Sequence, residues 1–371
     1  MIDFKNSKLF TPYTEPETGV TSYLLTQKVA PVQEAFYFTN ENMSADGRYF
    51  WFYCAFPPSA TAAQGRTLGV VDFLTQEVRH FPETQFNEAS PMVEEETGEI
   101  IWGMGASLWR RGPQADDQVT LINSLPEEII GSRPIPRLAT HLTRSVDGRT
   151  YFLDTQIGVQ YVFGALPANG DPFEEWYRFQ RIYDHAQFNP TDPDEVLFAQ
   201  EIHGDILTGL TFPITDRLWI MRRGEKPRPI LREPRWVSHE WWDPDGKHVW
   251  CVWGNETWRV EVSSGDVEKI PFPHHCWHSH SSQKGEYIIG DSNVKFYRGC
   301  PSGVHFLNRK TGKLVKILDN PAMENYVGGH YHIDPHPRFS CGDQYGVFTT
   351  TVRGEVDVAV VLVKDLIERT S

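Results

Sequence analysis

One local pattern recurs along this chain: a short polar turn, most often closed by Gly, followed at once by an aromatic or β-branched run. It appears as Ser44-Ala45-Asp46-Gly47 before Tyr49-Phe50-Trp51-Phe52, and as Glu96-Thr97-Gly98 before Ile100-Ile101-Trp102. The third copy is Ser145-Val146-Asp147-Gly148 before Tyr151-Phe152-Leu153, and the fourth is Asn189 to Asp194 before Val196-Leu197-Phe198. The fifth is Asp243-Pro244-Asp245-Gly246 before His248-Val249-Trp250-Cys251-Val252. The sixth is Ser282-Gln283-Lys284-Gly285 before Tyr287-Ile288-Ile289, and the seventh is Cys341-Gly342-Asp343 before Gly346-Val347-Phe348. Asp-Gly between strands is a hairpin signal, because Gly supplies the positive φ that a tight turn requires. Copies recur every ~40–60 residues, the length of a four-stranded propeller blade. The pattern predicts an all-β, seven-bladed β-propeller spanning residues 1–371 as one domain. A β-sandwich, or two unrelated β domains, is the alternative; no composition break or linker separates two halves. Further turns at Ser263-Ser264-Gly265-Asp266 and Asn308 to Gly312 precede additional strands. Helix is scarce in this reading, with a last turn expected at Val363 to Thr370.

Composition agrees and narrows the partners. Aromatics make up 13% of the 371 residues, with 12 Trp and 26 Pro, which favours β structure over helix bundles. A formal net charge of -14 makes nucleic acid a poor partner, since phosphate neutralisation needs a Lys/Arg surface. An anionic small substrate stays open if the pocket is locally basic. The five cysteines are odd in number and show no CxxC spacing, which fits a reducing compartment. Met1 to Phe10 lacks a signal-peptide profile, and no run of about eighteen apolar residues exists to cross a membrane. The expectation is a cytoplasmic protein without a membrane partner, or a periplasmic one if a leader has been removed.

The chemical signal lies in the second half, where ten of the fourteen histidines fall from His239 onward. One cluster, His274 to Ser282, precedes the sixth turn and contains His278-Ser279-His280. Another, His330-Tyr331-His332-Ile333-Asp334-Pro335-His336-Pro337-Arg338, precedes the seventh. On extended strands side chains alternate, so His278 and His280 should share a face, as should His332, Asp334 and His336. Imidazole and carboxylate ligands without thiolate suit Mn²⁺, Zn²⁺, Fe²⁺ or Ni²⁺, and Ca²⁺ much less. The bland reading is histidines that hydrogen-bond the blade ends. Two HxH pairs at matching blade positions favour a metal, with His280, His332 and His336 as ligands and Asp334, His330 or His278 as a further one. Ser238-His239-Glu240-Trp241-Trp242 and His185-Ala186-Gln187-Phe188 occupy the same pre-turn register in the fifth and fourth repeats.

The order of these motifs resembles the oligogalacturonate lyase family of polysaccharide lyases. The matching segments are His185-x-x-x-Asn189-Pro190-Thr191-Asp192-Pro193, Arg217-Leu218-Trp219, His239-Glu240-Trp241-Trp242-x-Pro244-Asp245-Gly246, His278-Ser279-His280-Ser281 and Asp334-Pro335-His336-Pro337-Arg338. The resemblance implies a seven-bladed propeller that cleaves short uronate oligosaccharides by β-elimination with a divalent metal, Mn²⁺ first among the candidates. It implies His239 as catalytic base, Arg217 as support for the substrate carboxylate, and His280 and His336 as metal ligands. His185 and Arg338 are expected to contact the anionic oligosaccharide. The last motif departs from the family, which carries a glutamine and a His-Pro-His there. His332 is the candidate replacement for the glutamine and Asp334 for one histidine. A lyase for another uronate linkage, of the rhamnosyl-glucuronate or ulvan type, and a non-catalytic binding propeller are the alternatives.

Overall fold

Each of the seven turns joins the innermost strand of an antiparallel sheet to its second strand; six of these sheets have four strands and the seventh has five. The computed structural model describes residues 2–60, 64–88, 91–205, 207–231, 233, 237–272, 276–293, 301–321 and 333–371. The inner strands of the first three blades are Val32–Glu34, Met92–Val93 and Thr143–Arg144. Those of the last four are Tyr183–Asn189, Ser238–Trp242, Cys276–Ser281 and Arg338–Ser340. The seventh blade is closed by the other end of the chain. Thr21–Leu25 pairs with Asp357–Leu362, placing Ser22 opposite Val361 and Leu24 opposite Ala359, and Phe10–Thr14 pairs outside it. The expected helix forms at Val363–Thr370, with Leu366 buried beneath it.

The turns repeat their chemistry as well as their sequence. In the first, Ser44 Oγ donates to Asp46 Oδ1 at 2.6 Å, and the same carboxylate accepts the Arg48 amide. In the third, Ser145 and Asp147 do the same at 2.6 Å, with the Arg149 amide as donor. The fifth turn adds a close approach between blades. Gly246 has φ 65°, its carbonyl accepts from Asn189 Nδ2, and a Cβ there would lie 2.0 Å from Thr191 Oγ1. Only Gly satisfies both constraints.

Apolar clusters fill all seven blade-to-blade interfaces. Trp51, Tyr53 and Phe36 pack between the first and second blades, and Phe152, Phe163 and Phe198 between the third and fourth. The interface of seventh and first blades is filled by Phe4, Phe10, Tyr23 and Phe50, so the closing strands also supply core. Cys54, Cys251, Cys276 and Cys341 are buried free thiols, and Cys300 lies outside the described residues. No helix among the described residues is long and apolar enough to cross a membrane.

The fourth blade carries an insertion. Between Asp192–Gln200 and Leu218–Arg222 the fourth blade carries a small hairpin, His203–Gly204 with Thr211–Phe212. Glu201 and Arg217 stand at its two feet. Arg217 therefore immediately precedes its strand instead of lying in it.

Candidate active site

Four histidines from four blades surround one tyrosine, and a fifth, His239 from another blade, adjoins them through His278. Tyr37, on the link between the first inner strand and its turn, stacks on His141 with ring centroids 4.6 Å apart. It lies 4.8 Å from His336, 6.0 Å from His278 and 6.1 Å from His185. Around it, His141 meets His185 at 4.8 Å, His278 meets His336 at 4.3 Å and His239 meets His278 at 4.2 Å. Phe38 packs beneath His239 and His278. Tyr37, His185, His239 and His336 keep part of their surface open, so the ring faces an accessible space.

Local backbone distortion makes this convergence possible. The inner strands of blades four, five and six lose register between Asp184 and Gln187, between Ser238 and Trp241, and between Cys276 and Ser279. Each bulge holds a ring histidine, and a bulge re-aims side chains. His185, His239 and His336 also have positive φ, at 57°, 51° and 46°. For a residue with a Cβ this region costs about 1–3 kcal/mol, and such strain concentrates at functional sites.

His278, Asp334 and His336 bring one donor atom each to within 4.8 Å of one another. Asp291 accepts from both the backbone amide and Nδ1 of His278, at 2.7 and 2.8 Å. That bond fixes the ring and leaves Nε2 free to coordinate, a recurring device behind metal-ligating histidines. Two imidazoles and one carboxylate, backed by a second carboxylate, fit a divalent transition metal.

The expected ligand residues do not all come together. His280 does not join His278. The bulge breaks the alternation behind the shared-face expectation: His280 lies against Trp241 and Phe339, and its Nδ1 accepts the Phe339 amide at 3.2 Å. Among the described residues the close donor group holds His336 and Asp334 with His278, and not His280, from the sixth blade. His330 and His332 lie outside the described residues. Arg338 is buried, with Nη2 on Glu41 at 3.3 Å and Nε on the Phe339 carbonyl at 3.0 Å, while its Nη1 has no hydrogen-bond partner among the described residues.

His239 and Arg217 occupy opposite electrostatic settings. No hydrogen-bond partner reaches either ring nitrogen of His239 among the described residues, and its Nδ1 is buried. Burial, with His278 and Arg217 nearby, holds its basicity well below the usual imidazole range. Arg217 is fully engaged. Its Nε donates to Glu240 Oε2 at 3.0 Å and its Nη1 pairs with Glu201. Despite burial, Arg217 and His185 pull the Glu240 carboxyl down to about 2. The His185 Nδ1 lies 3.1 Å from Glu240 Oε1, and Asp184 pairs with Arg137 at 3.3 Å. Asp184, His185 and Glu201 also cluster closely. The guanidinium seated on Glu201 already supplies the cation there.

Tyr37, His141, Glu240 and Asp291 were not singled out from the sequence. A usable signal existed for His141. It stands four residues before Ser145, as His185 does before Asn189, His239 before Asp243 and His278 before Ser282.

The fold is that of known lyases. An oligogalacturonate lyase in complex with manganese aligns with TM-score 0.73 at 16% identity, covering 95% of this chain and 96% of that one. The oligogalacturonate lyase of Vibrio parahaemolyticus aligns with TM-score 0.72 at 15% identity, over 95% and 96% of the two chains. Hydrazine synthase of Kuenenia stuttgartiensis follows at TM-score 0.54 and 12% identity, over 90% and 96%. No protein-family model and no curated protein sequence matches the chain.

Proposed function

We propose that this protein is a lyase that cleaves uronate-containing oligosaccharides by β-elimination, with a divalent cation held by His278, Asp334 and His336. The observation that carries this reading is one convergence: a neutral, unpartnered His239 imidazole in ring contact with a metal-competent donor group. The propeller fold shared with oligogalacturonate lyases supports the substrate class. A binding scaffold would have no use for three histidines in strained backbone conformations.

The reaction removes the C5 proton of a uronate and expels the O4 substituent. That proton is weakly acidic because the adjacent carboxylate is already negative. When bound, the cation supplies the positive charge that offsets it. His239 presents Nε2 as a neutral base to take the proton. Tyr37 and Phe38 close the ring beneath the histidines and limit water there. The role expected of Arg217 changes. Its charge is matched by Glu240 and Glu201, so it positions Glu240 and His185 instead of receiving the substrate carboxylate. Manganese leads the candidate metals, and the linkage is that of a galacturonate or a related uronate oligosaccharide. The test is a panel of uronate oligosaccharides assayed for the ultraviolet absorbance of the unsaturated product, with and without chelator. Chelator-sensitive product supports the reading; silence across the panel overturns it.

A further inference from the structure

We infer that His185 is the proton donor to the departing O4 oxygen. The inference rests on the elimination reading above and assigns the step that reading leaves open. His185 and His239 occupy the same pre-turn position in adjacent blades, each on a bulge and each with positive φ. They differ in what meets their nitrogens. His239 has no hydrogen-bond partner among the described residues, whereas His185 Nδ1 lies 3.1 Å from Glu240 Oε1 and its Nε2 lies 3.8 Å from Asp184 Oδ1.

Charge balance decides the protonation state. Three carboxylates, Asp184, Glu201 and Glu240, surround His185, against two guanidiniums, Arg137 and Arg217. A protonated His185 neutralises the group. The Arg217 Nη2 lies 3.4 Å from His185 Nδ1, and both face Glu240 Oε1, so two donors share one acceptor. His141 and Tyr37 complete the surroundings as rings. Burial alone would lower the His185 pKa; Asp184 and Glu240 outweigh it and raise it. The Nε2 proton is then the one to give. Asp184 Oδ1 stands beyond hydrogen-bond distance of Nε2 and has no hydrogen-bond partner among the described residues, so it stabilises the charge without taking the proton.

In the step, His239 takes the C5 proton and the C5–H electron pair becomes the C4=C5 double bond. The C4–O4 bond breaks, and O4 receives the His185 Nε2 proton. An alkoxide leaving group needs that proton, whereas an aryloxide leaves without it. His185→Gln should therefore reduce turnover of a uronate disaccharide about 10²–10³-fold, within the range of acid–base catalysis. Turnover of a 4-O-aryl uronide should fall less than tenfold. In the native protein the alkoxide reaction should fade as pH rises through the elevated His185 pKa, and His185→Gln should lose that alkaline limb. Histidine ring NMR of the native protein should show His185 titrating above the ordinary imidazole range, a readout independent of activity. Equal losses on both substrates, or a His185 that titrates at or below that range, would overturn the assignment. A native protein silent on both substrates would instead overturn the elimination reading, and this assignment with it.

Discussion

At the scale of single residues, the site is defined by which polar atoms lack partners. Buried polar groups are normally hydrogen-bonded, and leaving one unpaired costs about 1–3 kcal/mol. His239 accepts that cost. Changing it to Ala should leave metal content intact and lower uronate turnover about 10²–10⁴-fold, the usual contribution of a general base. Turnover within a few-fold of native would remove His239 from the mechanism. Glu240 makes the opposite bargain, being fully buried and doubly paired. Its folded pKa of about 2 lies below the ordinary 4.5. Its stabilisation, about 3 kcal/mol at ~1.4 kcal/mol per unit, is fully present above the ordinary value and is lost as pH falls through about 2. Asp184 runs the other way, since burial pushes it up to about 6. Comparing variant with native isolates the Glu240 part. Glu240→Gln should lower the Tm most at neutral pH, and the gap to native should narrow below the ordinary value and close only as pH falls through about 2. A gap independent of pH would show that the carboxylate charge is not what the fold uses.

At the scale of elements, local chemistry and local distortion had different visibility. The turns were legible because Asp-Gly geometry is decided within four residues, and Asp46 and Asp147 show the same bonds. The bulges were not, because alternation along Cys276–Ser281 reads as a regular strand until its pairing is known. That is why the motif places His278 and His280 on one face, whereas the paired strand turns them apart. Two comparisons test the backbone argument. His239→Gly should be more stable to denaturant than His239→Ala by about 1–2 kcal/mol, because a Cβ is disfavoured at φ 51°. Equal stability would mean that the left-handed conformation is not retained. Gly246→Ala should destabilise more than Gly312→Ala. Both have positive φ, but the new Cβ at position 246 meets Thr191 at 2.0 Å, and none lies within 4 Å at position 312.

At the scale of the whole molecule, the ring exists only because seven blades close. Tyr37 comes from the first blade and His336 from the last, and the Thr21–Leu25 strand latches the last blade to the chain's beginning. A lone tyrosine between strands carries no motif, so Tyr37 could not be found before closure was known. The histidines could, since their pre-turn register is a property of the repeat. Closure also places the proposed metal across a blade boundary, with His278 from the sixth blade and Asp334 and His336 from the seventh. A ligand bound only by the folded state stabilises it by about 2.7 kcal/mol at a hundredfold excess over Kd. Manganese added to chelator-treated protein should therefore raise the Tm by a few degrees. His278→Ala should abolish that increment. His280→Ala orphans the Phe339 amide and should lower the starting Tm, at a cost of about 1–3 kcal/mol. It should nevertheless keep the metal-dependent increment, because His280 stands outside the donor group. If His280→Ala loses the increment and His278→Ala keeps it, the ligand set read from the motif alone is right and the one assigned from the bulge is wrong.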